Sequence, residues 1–512
     1  MTQKINRREF LKIAALSTIA NVPTLRSLDR IKIQSSENAQ PNVLIIVLDA
    51  LSARHMSLYG YPRQTTPNID HFAERSTVFH NHYSGGSFTT PGTASLLSGA
   101  LPWSHHAVNL QGMVNNTFIP RNIFNLTPQG TFTTTYSQNL LAITLLYQFR
   151  GYLDALGMPR KLAIEDLEYS DRLFKNDYNI SYFGENVILR GNKRVAGSLF
   201  LSPLFHWISP IQEKQINQTY KQAFPDGVPN QDYVYFRLED SIDWTIEQVN
   251  TMQQPYLAYF HFLPPHGPYT PRYDFLGMFQ DNFSPPVKPE SFASEGFDQS
   301  VLDYNRLKYD QYLAYADSEF GRLVSAMEAS GALDNTCLIL TSDHGELFER
   351  GIRGHVTPVL YESIVRVPLV IARPGSKEHQ DVFDHTSCID LVPTLMHIYG
   401  QNIPEWVEGR ILPTFNAPTS SQERTIFAMD NKGGNRHGPL TTGTFMSING
   451  DYKLIHYIKP LGETVEDELY DLAKDPEELE NLITTRGSTA AELQDQLAAK
   501  LARANQPYAT QR

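Results

Sequence analysis

Residues 42–51, NVLIIVLDAL, decide how the rest of the chain is read. Six apolar residues in succession, Val43 to Leu48, suffice for a strand buried on both faces, are too few for a helix, and end at Asp49. Such strands belong to parallel sheets covered by helices, whose ligand crevice lies at the carboxyl ends of the strands. Asp49 therefore stands where a metal ligand would stand, although an Asp in that place also serves as a helix cap. About three hundred residues later, NTCLILTSDHGELFERG repeats the layout, with Cys337 to Leu340 as a buried strand and Asp343-His344 past its end. In the turn after a strand, neighbouring side chains can converge on one ion, so Asp49, Asp343 and His344 are expected to bind a metal together.

The chain has 512 residues, 41% of them hydrophobic, which predicts one large domain with a smaller appendage. Its formal net charge of -12 argues against a nucleic-acid partner, because phosphate binding needs a basic surface. Only Cys337 and Cys388 are present, both in apolar runs, so they read as buried thiols rather than a disulfide framework or a Cys-rich metal site. At the amino end, Arg7-Arg8-Glu9-Phe10-Leu11-Lys12 precedes an apolar run to Val22 and resembles a twin-arginine export signal; a basic amphipathic helix is the other reading. The run of about ten apolar residues is too short to span a bilayer. The signal implies the twin-arginine translocation machinery as a partner and a place outside the cytoplasmic membrane, in the periplasm or at the cell surface.

From about Pro41 onward the chain resembles the sulfatase branch of the alkaline phosphatase superfamily. The resemblance is carried, in order, by NVLIIVLDAL, TTPNIDHFAERSTVF, TTPGTASLLSG, FHFLPPHGPYTP, TSDHGE, GHVTPVLYESIVRVPLVIARPG, DLVPTLMHIYG and DYKLIHYI with DELYDLAKDPEELENL. It implies an α/β/α sandwich over residues 41–400, following a leader and linker over 1–40. A smaller antiparallel α+β subdomain over 401–512 completes the chain. Residues from about 139 to 240 read as an insertion over the active-site edge of the sheet.

The family nucleophile lies two residues before the proline of a Cys-x-Pro-x-Arg or Ser-x-Pro-x-Arg loop, which here is Thr89, with Pro91 as the proline and Thr93 in place of the Arg. Sulfatases convert that Cys or Ser to formylglycine, and a Thr is not expected to undergo the conversion. Superfamily members that act on phosphate or phosphonate esters, among them lipoteichoic-acid synthases and phosphoethanolamine transferases, resemble this loop in using a Thr hydroxyl. A divalent ion lowers the pKa of such a hydroxyl, so Thr89 is expected both to bind the ion and to attack the substrate; the alternative is a Thr capping a helix that starts near Thr93.

Many sulfatases carry Asp-Asp and Asp-Asn at the two strand ends, an oxygen shell suited to calcium. Asp49-Ala50 and Asp343-His344 lose a carboxylate and gain an imidazole, which favours manganese or zinc and leaves calcium as the third choice. One ion is expected, since a second Asp-His-His set is not visible. By resemblance His266 faces the transferring group or the leaving oxygen, and His355 occupies a substrate-binding segment. Arg366 and Asp317 read as structural. Three functions fit: a metal-dependent hydrolase of sulfate or phosphate and phosphonate esters, a transferase moving a phospho-headgroup from lipid to an envelope glycan, and an inactive binding protein. The substrate is expected to be an ester, with a glycan or a lipid as its carrier.

Overall fold

The computed structural model describes residues 40–110, 112–164, 202–231, 234–415, 424–434, 438–458 and 465–509. The expected twin-arginine leader and much of the expected insertion lie outside the described residues.

Eight strands build the main sheet: β1 (Asn42–Leu48), β2 (Thr77–Tyr83), β3 (Phe132–Ser137), β4 (Ala155–Gly157), β5 (Tyr256–Phe262), β6 (Thr336–Thr341), β7 (Leu369–Ala372) and β8 (Gln380–Ser387). Their order is β8-β2-β7-β6-β1-β5-β3-β4. Every neighbouring pair is parallel except those made by β7, which runs antiparallel to β2 and β6. β4 lies within the segment expected as an insertion and joins the edge of this sheet.

The apolar run of β1 is divided between two cores because successive side chains leave a strand on opposite faces. Val43, Ile45 and Val47 pack with Leu96 and Leu97 of α2 (Thr89–Ser98), Ile143 and Leu146 of α3 (Leu140–Gln148) and Val392 and Leu395 of α6 (Leu391–Ile398). Leu44, Ile46 and Leu48 pack with Ile69 and Phe72 of α1 (Pro67–Ala73), Ile242 of α4 (Leu238–Thr251) and Tyr312 and Phe320 of α5 (Gln299–Ala329). The result is the expected α/β/α sandwich. Asp317 joins two helices of one layer: its carboxylate accepts from the Asn68 and Ile69 backbone N–H groups at 3.0 and 2.8 Å, the structural part expected of it.

Strands β9 (Ile426–Asp430), β10 (Gly443–Asn449), β11 (Tyr452–Ile458) and β12 (Glu468–Asp471) form the antiparallel carboxyl-terminal sheet, and Leu454 and Leu469 pack with Ala490 and Leu493 of α7 (Gly487–Ala509). A buried ion triad ties this sheet to the main domain. Lys453 on β11 is fully buried, with its Nζ 2.9 Å from Glu362 and 2.8 Å from Glu478. Burial opposes its charge, but the two carboxylates hold the ammonium above its usual pKa.

Replacing Lys453 with Met leaves two buried carboxylates facing each other, so Lys453→Met should destabilise the protein by about 3–5 kcal/mol in chemical unfolding. Adding Glu362→Gln and Glu478→Gln should recover most of that loss, because the uncompensated charges go with the substitutions.

Candidate active site at the carboxyl edge of the sheet

Asp49 follows β1 in a turn that places Ala50 at φ 59°, a left-handed conformation that costs a non-glycine residue roughly 1–3 kcal/mol. Two contacts hold it there. The Tyr309 hydroxyl donates to the Ala50 carbonyl at 2.7 Å, and the Ala50 N–H donates to Asp343 Oδ1 at 3.3 Å. The second of these contacts joins the Asp49 and Asp343 turns, which the sequence predicts to converge.

His344 enters from the Asp343 turn. Its Nδ1 lies 2.9 Å from the Gly345 carbonyl, an acceptor, so Nδ1 carries the proton and Nε2 the lone pair. That Nε2 sits 3.5 Å from Asp49 Oδ1, 3.5 Å from Asp343 Oδ2 and 3.3 Å from Thr89 Oγ1. Burial lowers the pKa of His344 and keeps its ring neutral.

Thr89 does not cap a helix. α2 begins at Thr89 itself, four residues before the expected start near Thr93, because Pro91 is tolerated in a first turn. Phe88 is the N-cap residue and contributes no side-chain cap. The Thr89 hydroxyl instead turns inward to His344 and to Asn139, whose Nδ2 donates to it at 3.1 Å. A Cβ added at Gly92 would sit 2.1 Å from the Asp343 carbonyl oxygen, so only glycine lets the nucleophile helix lie against the metal-ligand turn.

Two site residues escape the sequence reading. His261 lies inside β5, in register with Val47 of β1 and Ser137 of β3, and its Nε2 stands 3.2 Å from Asp49 Oδ2 and 3.8 Å from Asp343 Oδ2. Its Nδ1 pairs with the Tyr259 hydroxyl at 3.0 Å. Asn139 follows β3 as Asp49 follows β1. Its Oδ1 caps α3 by accepting from the Leu141 and Ala142 N–H groups, and its Nδ2 donates to Asp49 Oδ2 at 2.5 Å.

Asp49 Oδ1, Asp343 Oδ2 and His261 Nε2 are buried without a hydrogen-bond partner. The ligand atoms of these three residues lie within 4.8 Å of one another, the sole such group among the described residues. Two fully buried carboxylates with unpaired oxygens beside an unpaired imidazole nitrogen would be costly on their own, and the set matches what a divalent ion needs. The donors therefore fit one ion, held by Asp49, Asp343 and His261, with His344 and Thr89 within reach. Burial opposes charge on Asp49, yet His266 and His261 hold its carboxyl below the usual range. His261 is raised because Asp343 and Asp49 outweigh its own burial.

The expected His266 and His355 gather beside His344, with ring centroids 4.8 Å apart for His266–His355 and 4.2 Å for His344–His355. His266 Nδ1 donates to the Gly267 carbonyl at 2.6 Å. His355 Nδ1 meets Glu346 Oε1 at 2.9 Å, an acidic partner one residue beyond the Asp-His-Gly turn that the sequence reading passes over. The two rings are shifted in opposite directions. Burial depresses His355 well below its usual pKa, whereas Asp49 and Glu346 overcome burial and raise His266. Burial pushes Glu346 itself up to about 7. Arg366 donates to the His80 carbonyl on β2, a structural part as expected, although β2 lies between β8 and β7 and not at the sheet edge. Cys337 and Cys388 are free and buried, with both thiols pushed up to about 12 by burial.

Comparisons with known proteins agree with this fold. The profile of the Sulfatase family matches residues 41–401, and that of N-sulphoglucosamine sulphohydrolase, C-terminal, matches residues 357–507. The chain is similar to a choline-sulfatase of Rhizobium meliloti (strain 1021), at 24% identity over 468 residues, 86% of this chain and 82% of that protein. It is similar to an arylsulfatase of Clostridium perfringens (strain 13 / Type A), at 24% identity over 489 residues, 87% of this chain and 91% of that protein. Its fold resembles the phosphonate monoester hydrolase of Agrobacterium radiobacter with a TM-score of 0.64 at 19% identity, over 91% of this chain and 96% of the other. With residues 41–401 of 512 matched by one family profile, the chain belongs to the sulfatase family of ester hydrolases.

Proposed function

We propose that the chain is a one-ion hydrolase of phosphate, phosphonate or sulfate esters in which Thr89 is the nucleophile. The observation that carries this reading is the Thr89 hydroxyl, buried at the first turn of α2 and within hydrogen-bond distance of His344 Nε2. When bound among Asp49, Asp343 and His261, a divalent ion supplies positive charge that favours the alkoxide form of that hydroxyl and polarises an ester oxygen. The mixed oxygen and imidazole donors support manganese or zinc over calcium.

The remaining chemistry belongs to the side chains. Asn139 donates to the Thr89 oxygen and so fixes its lone pairs, leaving the O–H directed at the His344 Nε2 lone pair. Thr89 gives its proton to His344 Nε2 and attacks phosphorus or sulfur, the bond to the leaving oxygen breaking as the new one forms. His266, whose pKa is raised by Asp49 and Glu346, gives that oxygen its proton. His355, kept neutral by burial and oriented by Glu346, can accept a proton from the water that cleaves the Thr89 ester. Thr89 has a single hydroxyl, unlike a formylglycine hydrate, so the covalent ester must be opened by water at phosphorus or sulfur. This supports phosphorus as the favoured element and makes formylglycine unnecessary. The resemblance of Arg7 to Lys12 to a twin-arginine signal supports an activity outside the cytoplasmic membrane.

Hydrolysis of 4-nitrophenyl phosphate, phosphate diester, phenylphosphonate and sulfate by metal-free protein refilled with manganese, zinc or calcium tests the reading. The expected outcome is metal-dependent turnover of a phosphorus ester that falls roughly 10^3-fold or more in Thr89→Ala. Sulfate turnover unchanged in Thr89→Ala would overturn the nucleophile assignment. Calorimetry of the metal-free protein should show one tight equivalent of manganese or zinc, with His261→Gln weakening it by about 10–100-fold. Binding unaltered in that variant would remove His261 from the site.

A further inference from the structure

A cavity of about 540 Å³, within the size range of small-molecule sites, is lined in part by the segment that follows His266. One wall, Gly267 to Thr270, starts immediately after His266, and Arg353, two residues before His355, stands on another. Tyr269 and Tyr304 supply aromatic lining, and Tyr304 is 60% exposed. The charges are uneven. Lys308 is paired with Asp226, whereas Arg353 has no carboxylate partner among the described residues; its guanidinium is stacked over the Phe297 ring at 5.0 Å. That stack fixes the cation while leaving its planar N–H fork free, the arrangement suited to a carboxylate or sulfate oxygen pair. A chain of net charge -12 has little general attraction for anions, so a free guanidinium beside the active site carries local selectivity.

We propose that this cavity receives the leaving group and selects one that carries a second negative charge on a ring. The anion pairs with Arg353 and the ring lies against Tyr269 and Tyr304. The proposal rests on the hydrolase reading above and narrows its substrates to esters of anionic cyclic alcohols, such as an acidic sugar.

The test compares two aryl esters of one phosphonate, matched in leaving-group pKa, one neutral and one with a carboxylate on the leaving ring. Wild-type protein should prefer the carboxylated ester in kcat/KM. Arg353→Gln should collapse that preference by about tenfold, chiefly through KM, the loss expected for one charge-assisted hydrogen-bonded pair. Arg353→Lys should restore part of it. An unchanged ratio of the two kcat/KM values in Arg353→Gln would overturn the proposal. Calorimetric binding of the carboxylated phenol, compared between wild type and Arg353→Gln, separates the two claims. Arg353-dependent binding without turnover of either ester would retain the subsite and sink the hydrolase reading. Turnover without any Arg353-dependent preference would sink the subsite alone.

Discussion

Two carboxylates, Asp49 and Asp343, are 0% and 1% exposed at the carboxyl edge of the sheet, each with an oxygen that no protein group satisfies. That constraint organises the surrounding structure. Buried carboxylates repel one another and lose their hydration, so they persist only where the fold supplies compensating charge. Here the imidazole from β5 supplies part of it, and the geometry of the unsatisfied atoms supplies a place for a cation. The left-handed Ala50, the Asn139 amide and the glycine contact between α2 and the Asp343 turn all serve to keep the carboxylates in this arrangement.

The nucleophile loop is steadied from outside. Where the resemblance leads one to expect an Arg, the chain has Thr93, which is too short to reach around the loop. The carboxyl-terminal sheet reaches it instead. Asp430 at the end of β9 accepts from Ser87 at 2.6 Å, and Lys432 lies 4.6 Å from the Phe88 ring while donating to the Thr357 carbonyl at 3.0 Å. The two residues before Thr89 are therefore pinned by a subdomain about 340 positions away in sequence, which explains why that subdomain is tied to the main domain by a buried ion triad.

Residues whose function follows from their position after a strand were legible in the sequence. The apolar runs of β1 and β6 announce buried parallel strands, and a ligand-type residue beyond each run falls in the crevice by the geometry of the fold. His261 was hidden because an apolar run buried on both faces has no alternation to say which residue points where. Only its register against Val47 brings it to the cluster. Asn139 was hidden for the opposite reason. β3, FTTTYS, is rich in Thr and lacks the apolar run that marks β1, so nothing in the sequence marks the strand end before Asn139 and the residue reads as the start of the insertion. The start of α2 was misplaced because Pro91 reads as a break, whereas a first helical turn accommodates it.

The account depends on one cation standing between Asp49, Asp343 and the histidines, in contact with Thr89. Anomalous diffraction from crystals of the protein grown with manganese, collected on either side of the manganese absorption edge, tests this directly. The account predicts a single strong peak within bonding distance of Asp49, Asp343, His261 and the Thr89 oxygen. A peak elsewhere, or one at this site with Thr89 turned away from it, would contradict it.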